Sequence, residues 1–323
     1  MIKTYNYIIT GHKMLKKSIL KKKLFLLTKI SVLLIFCGCE QAKINRLLEN
    51  DPIRAHKLLS AKIKNKPEDS NLYALRGIAN KNSGNIVAAI EDFNHALSID
   101  PSNFYALANR GIANLSLKRY AQAITDISAA LLLTKKSQEL AELHLLLGSI
   151  YHYDLKKYKA ADAEYFIAAA TAPENINIKI NQAILLFNTG KAKLAIEKFE
   201  DILKEHPNNL KVCNDYAWVL ARCDKTNLCD NKKALYLAQR AISLQKNPIT
   251  YDTLALAYAV NSEFHKAVVA QKSAIKMVEE SPRMSQKYQQ LLLQFEHRLH
   301  CYENNLVPQI PIETNRELEI WLR

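Results

Sequence analysis

The chain is poor in glycine and proline, with seven and nine respectively in 323 residues. Average usage would give about twenty-three glycines. Glycine supplies the left-handed conformations that tight turns require, so its scarcity argues against a β-rich fold with many hairpins. It argues equally against a nucleotide fold built on a Gly-rich loop. No G-x-G-x-x-G, G-x-x-x-x-G-K-[ST] or G-x-S-x-G occurs. A long hydrophobic run is also missing. The apolar stretch Leu24–Phe36 is thirteen residues interrupted by Lys29, against about twenty for a membrane-spanning helix. What is present in quantity is Ala, Leu, Ile, Lys and Asn, with 49% hydrophobic and 24% charged residues. That composition suits packed helices.

Acidic residues are absent from one region only. Residues 1–38 hold eight lysines and no Asp or Glu. They carry more than half of the net charge of +14; without them 37 basic residues face 31 acidic ones, a net +6. The rest of the chain therefore has the charge of an ordinary soluble domain, and nucleic-acid binding loses its main support. The excess belongs to targeting instead. A basic stretch, Lys16 to Lys23, precedes the apolar one, and small and thiol residues follow. This is the layout of a secretory signal peptide over 1–38, with Met14 a better start than Met1.

The segment Phe36-Cys37-Gly38-Cys39 resembles a bacterial lipoprotein box. In that family a small residue precedes a Cys that receives a diacylglycerol thioether before the signal is removed. Gly38 and Cys39 fit; Phe36 and Cys37 depart from the usual Leu and Ala/Ser. The resemblance implies Cys39 as the lipidated residue and a periplasm-facing chain. Glu40 in place of Asp favours the outer membrane over the inner. The alternative is an uncut signal anchor in the inner membrane, with its lysines cytoplasmic.

From there on the sequence is periodic. Pro67 and Pro101 are 34 residues apart, as are Pro173 and Pro207, Gly77 and Gly111, Ala96 and Ala130, and the series Ala55, Ala89, Ala123. A 34-residue period with this Ala/Gly/Pro pattern resembles the tetratricopeptide repeat, a helix–turn–helix unit. The clearest unit is 71–101. In it Gly77 and Ala89 let two helices approach, Gly84 sits at their turn, Phe93 fills the space between them, and Pro101 ends the second helix. Further units fall at 104–137, 141–173 with one inserted residue, 176–207, 214–244 with about five inserted residues, and 251–277. The expected organisation is an N-terminal segment 39–70 with a partial repeat, six units over 71–277, a capping helix over 278–302, and a tail over 303–323 containing a short helix at 314–322. The fold class expected is all-α, a right-handed superhelical α-solenoid of helix–turn–helix units, each burying its apolar stripe against its neighbours.

The resemblance implies a non-enzymatic protein–protein interaction scaffold that holds an extended peptide or partner helix against its first helices. The positions exposed on those helices by projection are Lys81, Asn82, Tyr105, His152, Tyr153, Asn177, Asn181, Asn188, Asn214, Trp218, Arg222 and Asp252. Asparagine offers both donor and acceptor to a peptide backbone, and Trp and Arg are the residue types that anchor interfaces. Tyr105, Tyr153, Asn177, Asn181, Asn188, Asn214, Trp218, Arg222 and Asp252 are the expected partner-binding set. A packed role for Trp218 and a solvated one for the asparagines is the alternative. The Lys/Asn carboxylate clamp of the chaperone-binding branch is not implied, since Ala74, Ala108, Leu145 and Ile180 occupy those positions.

No catalytic constellation stands out, and neither cofactor nor metal is expected; His297, His300 and Cys301 make an incomplete ligand set. Cys223 and Cys229 flank the insertion of the fifth unit. In an oxidising compartment they are a candidate disulfide, with small packed thiols as the alternative. The second functional class left open is a glycan-binding or carbohydrate-processing envelope protein. It would use the groove or the fifth-unit loop and calls for carboxylates and aromatics in one cleft.

Overall fold

The computed structural model describes residues 41–223, 228–280 and 286–308. The signal segment, Cys39 and the expected tail helix lie outside the described residues. Every regular element among them is helical. The chain divides between Leu133 and Thr134 into two compact units.

The first unit contains α1 (41–50), α2 (Pro52–Asn65), α3 (Ser70–Asn82), α4 (Ile86–Ile99), α5 (Phe104–Ser116) and α6 (Tyr120–Leu131). The second contains α7 (Ser137–Ser149), continued by a π-helical turn at Ile150–Asp154, then α8 (Tyr158–Thr171), α9 (Ile176–Asn188), α10 (Ala192–Glu205), α11 (Leu210–Ala221), α12 (Asn231–Leu244), α13 (Pro248–Val260), α14 (Phe264–Glu279) and α15 (Gln286–Glu303). Successive helices pair as hairpins, and first helices also touch first helices: α3 meets α5, and α11 meets both α9 and α13. The result is the all-α solenoid that the period implied. The residue inserted in the third unit is absorbed by the π turn, a one-turn widening of the helix.

The boundaries have local causes. Pro67, Pro101, Pro173 and Pro207 each stand two residues before an Asp or Asn that caps the following first helix. Asp69 accepts from the Asn71 N–H, Asn103 from Ala106, Asn175 from Asn177 and Asn209 from Val212. Asn247 caps α13 reciprocally with Thr250. Each such cap is worth about 1 kcal/mol. Within hairpins the turn needs a left-handed residue. Gly84 and Gly190 supply it at φ 85° and 80°, but Lys118, Lys156 and Ser262 adopt φ 57°, 54° and 61° in corresponding turns. The low glycine count reflects a chain that makes several of these turns without it.

The remaining repeat glycines serve close approach. A Cβ at Gly77 would lie 2.5 Å from Phe93 Cε1, and one at Gly111 would lie 2.8 Å from Ile127 Cγ1. At Gly148 it would collide with the Tyr165 ring. A second interhelical device recurs in the first unit at the 34-residue period. Arg76 donates to Asp92 through Nε (3.0 Å) and Nη2 (2.5 Å), and Asn80 donates to the same carboxylate (2.8 Å). Arg110, Asp126 and Asn114 repeat the fork at 2.9, 2.6 and 3.2 Å. Two parallel N–H···O bonds give such a pair directionality as well as attraction.

Candidate functional site

In the second unit the expected residues fall in two clusters. The first centres on the π turn. The His152 ring stacks on Tyr153, with centroids 4.1 Å apart, and meets the edges of Tyr158 and Tyr165. Asn188 Nδ2 lies 2.9 Å from His152 Nε2, and the Tyr165 hydroxyl lies 3.4 Å from Nδ1. The Tyr153 hydroxyl donates to Asn181 Oδ1 (2.9 Å), and the Asn181 amide donates to the Asn177 carbonyl (2.9 Å). Burial lowers the pKa of His152 to about 4, so the ring is neutral near pH 7.

The second cluster joins α11, α13, α14 and α15. The Trp218 indole is 2% exposed. The Arg222 guanidinium carbon lies 5.7 Å from its centroid and the Arg298 carbon 5.6 Å, so two cations flank one ring. Arg222 also approaches Phe187 at 5.8 Å. Burial, and then the neighbouring Arg298, pull the pKa of Arg222 down to about 10. Asp252 is 0% exposed. Its Oδ1 accepts from Gln271 Nε2 (2.9 Å) and sits 2.9 Å from Arg298 Nε. Burial raises the Asp252 pKa; Arg298 and Gln271 oppose it. Tyr302 completes the cluster, buried in the same apolar group as Trp218. Several buried polar atoms here have no hydrogen-bond partner among the described residues: Asn214 Oδ1, Trp218 Nε1, Asp252 Oδ2, Thr253 Oγ1, Gln271 Oε1, Arg298 Nε and Nη2, and the Tyr302 hydroxyl.

Solvent exposure differs from the projection. His152, Tyr153, Asn181, Asn214, Trp218 and Asp252 are buried, because neighbouring first helices and α15 cover them. Asn177 is exposed, and Asn188 and Arg222 are partly covered. Tyr105, on α5 of the first unit, is 52% exposed. The asparagines expected to meet a peptide backbone therefore have internal uses at 181 and 188, and Asn214 donates to Asp215 (3.1 Å). The Cys229 thiol donates to the Cys223 carbonyl oxygen (2.8 Å), which brings the two ends of the inserted loop together. Residues 224–227 between them lie outside the described residues.

Projection from single helices missed Arg298, Gln271 and Tyr302, since none belongs to a first helix of the six units. A sequence signal existed for α15 as an amphipathic helix, but not for where its polar residues go. Among the described residues, no group of three or more His, Cys, Asp and Glu is placed to hold a metal ion. No described helix is long and apolar enough to cross a membrane.

Residues 70–103 match the family model of the tetratricopeptide repeat. The chain is 31% identical over 136 residues to the BBSome complex member BBS4 of Xenopus tropicalis, covering 42% of this chain and 26% of that protein. It thus spans about a quarter of the length of that curated relative. Among solved structures, a tetratricopeptide repeat protein from Parabacteroides merdae is similar with a TM-score of 0.63 at 17% identity, over 79% of this chain and 96% of that one. PilF of Pseudomonas aeruginosa is similar with a TM-score of 0.51 at 19% identity, over 71% of this chain and 99% of that one. The fold is that of a tetratricopeptide solenoid, an architecture of protein–protein interaction scaffolds.

Proposed function

We propose that this solenoid is a non-enzymatic adaptor of a bacterial cell envelope. Cys39 carries its lipid anchor, the chain faces the periplasm, and the first-helix face of the second unit holds a segment of another envelope protein. The observation that carries the reading is the gathering of Trp218, Arg222 and Asp252 in one cluster beneath that face, beside buried polar atoms without hydrogen-bond partners among the described residues. Aromatic and arginine side chains in desolvated settings dominate binding energy at interfaces. The anchor rests on the Gly38-Cys39 pair behind a basic and then apolar leader. A lipobox cysteine carries two or three acyl chains, and one chain alone binds only marginally.

A photo-crosslinking residue placed at Asn177, exposed on α9, tests the face in bacterial cells producing the chain. The same residue at Phe166, 71% exposed on the second helix α8, is the control. A discrete protein adduct from 177 and none from 166 is the expected result. Adducts from both, from neither or from 166 alone refute the assignment. Metabolic labelling with an alkynyl fatty acid tests the anchor: the label is expected to vanish in Cys39→Ala, and its persistence removes Cys39 as the acceptor.

A further inference from the structure

A buried polar cluster of the second unit is completed by a helix that belongs to none of the six repeats. α15 packs on α14 and carries Arg298 to Trp218 of α11 and Asp252 of α13, while Tyr302 enters the apolar group of Trp218. Arg298 is 3% exposed and Tyr302 is 1% exposed, and both are as deeply covered as the Trp218 and Asp252 they meet. Phe295 and Leu291 of the same helix sit in an apolar group with Ile249, Ala274 and Val278.

This seat is incompletely used. In the first unit, Arg76 and Arg110 engage their aspartates through Nε and Nη2 together. Arg298 Nε lies 2.9 Å from Asp252 Oδ1 as an ion pair, but neither Nε nor Nη2 makes a hydrogen bond among the described residues. On the receiving side, Asp252 Oδ2, Asn214 Oδ1 and Gln271 Oε1 are three buried acceptors that no donor among the described residues meets. A buried acceptor without a donor costs free energy whichever side chain is nearby. The receiving surface is thus rich in unused acceptors and presents an indole face. That is the chemistry of a guanidinium site, since arginine carries five donors in a planar fork and stacks on aromatic rings. Lysine can also sit over an aromatic face but brings a point charge without the planar fork.

We propose that α15 is a resident occupant of this face, and that a partner's arginine-bearing segment binds by displacing it, setting its guanidinium on Asp252 and the Trp218 indole in place of Arg298. The proposal rests on the reading that the first-helix face takes a partner segment, and it names what that segment must carry. Displacement is favoured where the incoming arginine makes the two-bond fork that Arg298 does not make.

The probe is a fluorescein-labelled peptide of residues 291–306 with Cys301→Ser, titrated into the intact chain and followed by anisotropy. While α15 is seated, apparent affinity is reduced by the fraction of time the face is free. Arg298→Ala in the chain is expected to tighten peptide binding at least about tenfold, because it unseats the competitor. Asp252→Asn added to that variant is expected to reverse the gain, and so is Arg298→Lys in the peptide. Should Arg298→Ala fail to fold, Arg298→Lys in the chain keeps the charge, removes the fork and is expected to show the same tightening. If neither chain variant binds the peptide better than the parent, α15 is a permanent cap and the proposal falls. Peptide binding that ignores Asp252 overturns the arginine assignment. The crosslink at Asn177 separates this from the broader reading. Peptide binding without a captured protein leaves self-occupation standing and removes the partner; capture without peptide binding does the reverse.

Discussion

Phe93→Ala is expected to destabilise the first unit by about 3–5 kcal/mol, the range for removing a buried aromatic ring. The upper end is reached where a cavity cannot collapse, and that is the situation here. Phe93 is 0% exposed, and its Cε1 lies 2.5 Å from where a Cβ would stand on Gly77. The floor beneath the ring is therefore the backbone of α3, and backbone does not swing into a void as a side chain does. The reciprocal change exploits the same contact. Gly77→Ala would ordinarily gain about 1 kcal/mol in a helix interior. Here the added methyl meets Cε1, Cδ1 and Cζ of Phe93 at 2.5–3.0 Å, so a loss is expected instead. Gly77→Ala combined with Phe93→Leu is expected to be more stable than the sum of the two single losses. The smaller side chain leaves room for the methyl, and contacting residues do not add. Urea unfolding followed by circular dichroism reads the three differences. Hydrogen exchange in α3 and α4 shows whether they arise in this hairpin. Strict additivity would mean that ring and glycine do not share the space assigned to them.

That pair was legible in the sequence, and the reason shows which parts of the protein were not. Gly77, Ala89 and Pro101 recur at a spacing of 34, Phe93 holds a position that Ile127, Tyr165 and Phe199 fill in the next three units, and their contacts lie within one repeat unit, so the period reports them directly. Gly111 against Ile127 and Gly148 against Tyr165 are the same relation in later units. The Arg76–Asp92 and Arg110–Asp126 forks stand at that period too, and the proline-x-Asx starts of the first helices recur with the repeat. Both were readable there although helix-face projection passed over them. The Trp218–Arg298 and Asp252–Arg298 contacts follow no period. They join a repeat helix to one outside the repeats, so exposure projected from single helices fails where α15 comes down. Tertiary covering, which no local pattern encodes, decides which of the expected groove residues meet solvent.

The second large effect is acid destabilisation of the second unit through His152, of about 3 kcal/mol between pH 6.5 and pH 4. The folded ring titrates at about 4, against 6.5 when unburied. Between those two values the unfolded chain binds a proton that the folded chain refuses, so stability rises with pH across the window. Equivalently, the loss begins as pH falls below 6.5, grows down to about 4, and then levels off once both states are protonated. The geometry gives the cause a direction as well as a size. With Asn188 Nδ2 donating to Nε2 at 2.9 Å, the ring proton sits on Nδ1, facing the Tyr165 hydroxyl at 3.4 Å. Protonation turns Nε2 into a donor pointed at another donor, inside a cage of Tyr153, Tyr158 and Tyr165 rings. His152→Gln removes the titrating group and keeps a polar side chain beside Asn188. Denaturant unfolding of both chains from pH 7.5 to 3.5 isolates the histidine, since every other carboxylate and imidazole contributes equally to each. The parent is expected to lose about 3 kcal/mol relative to His152→Gln across the window, through Nε2 and its neighbour. Parallel stability curves for the two chains would show that the ring takes up its proton within the fold, and that Asn188 turns to receive it.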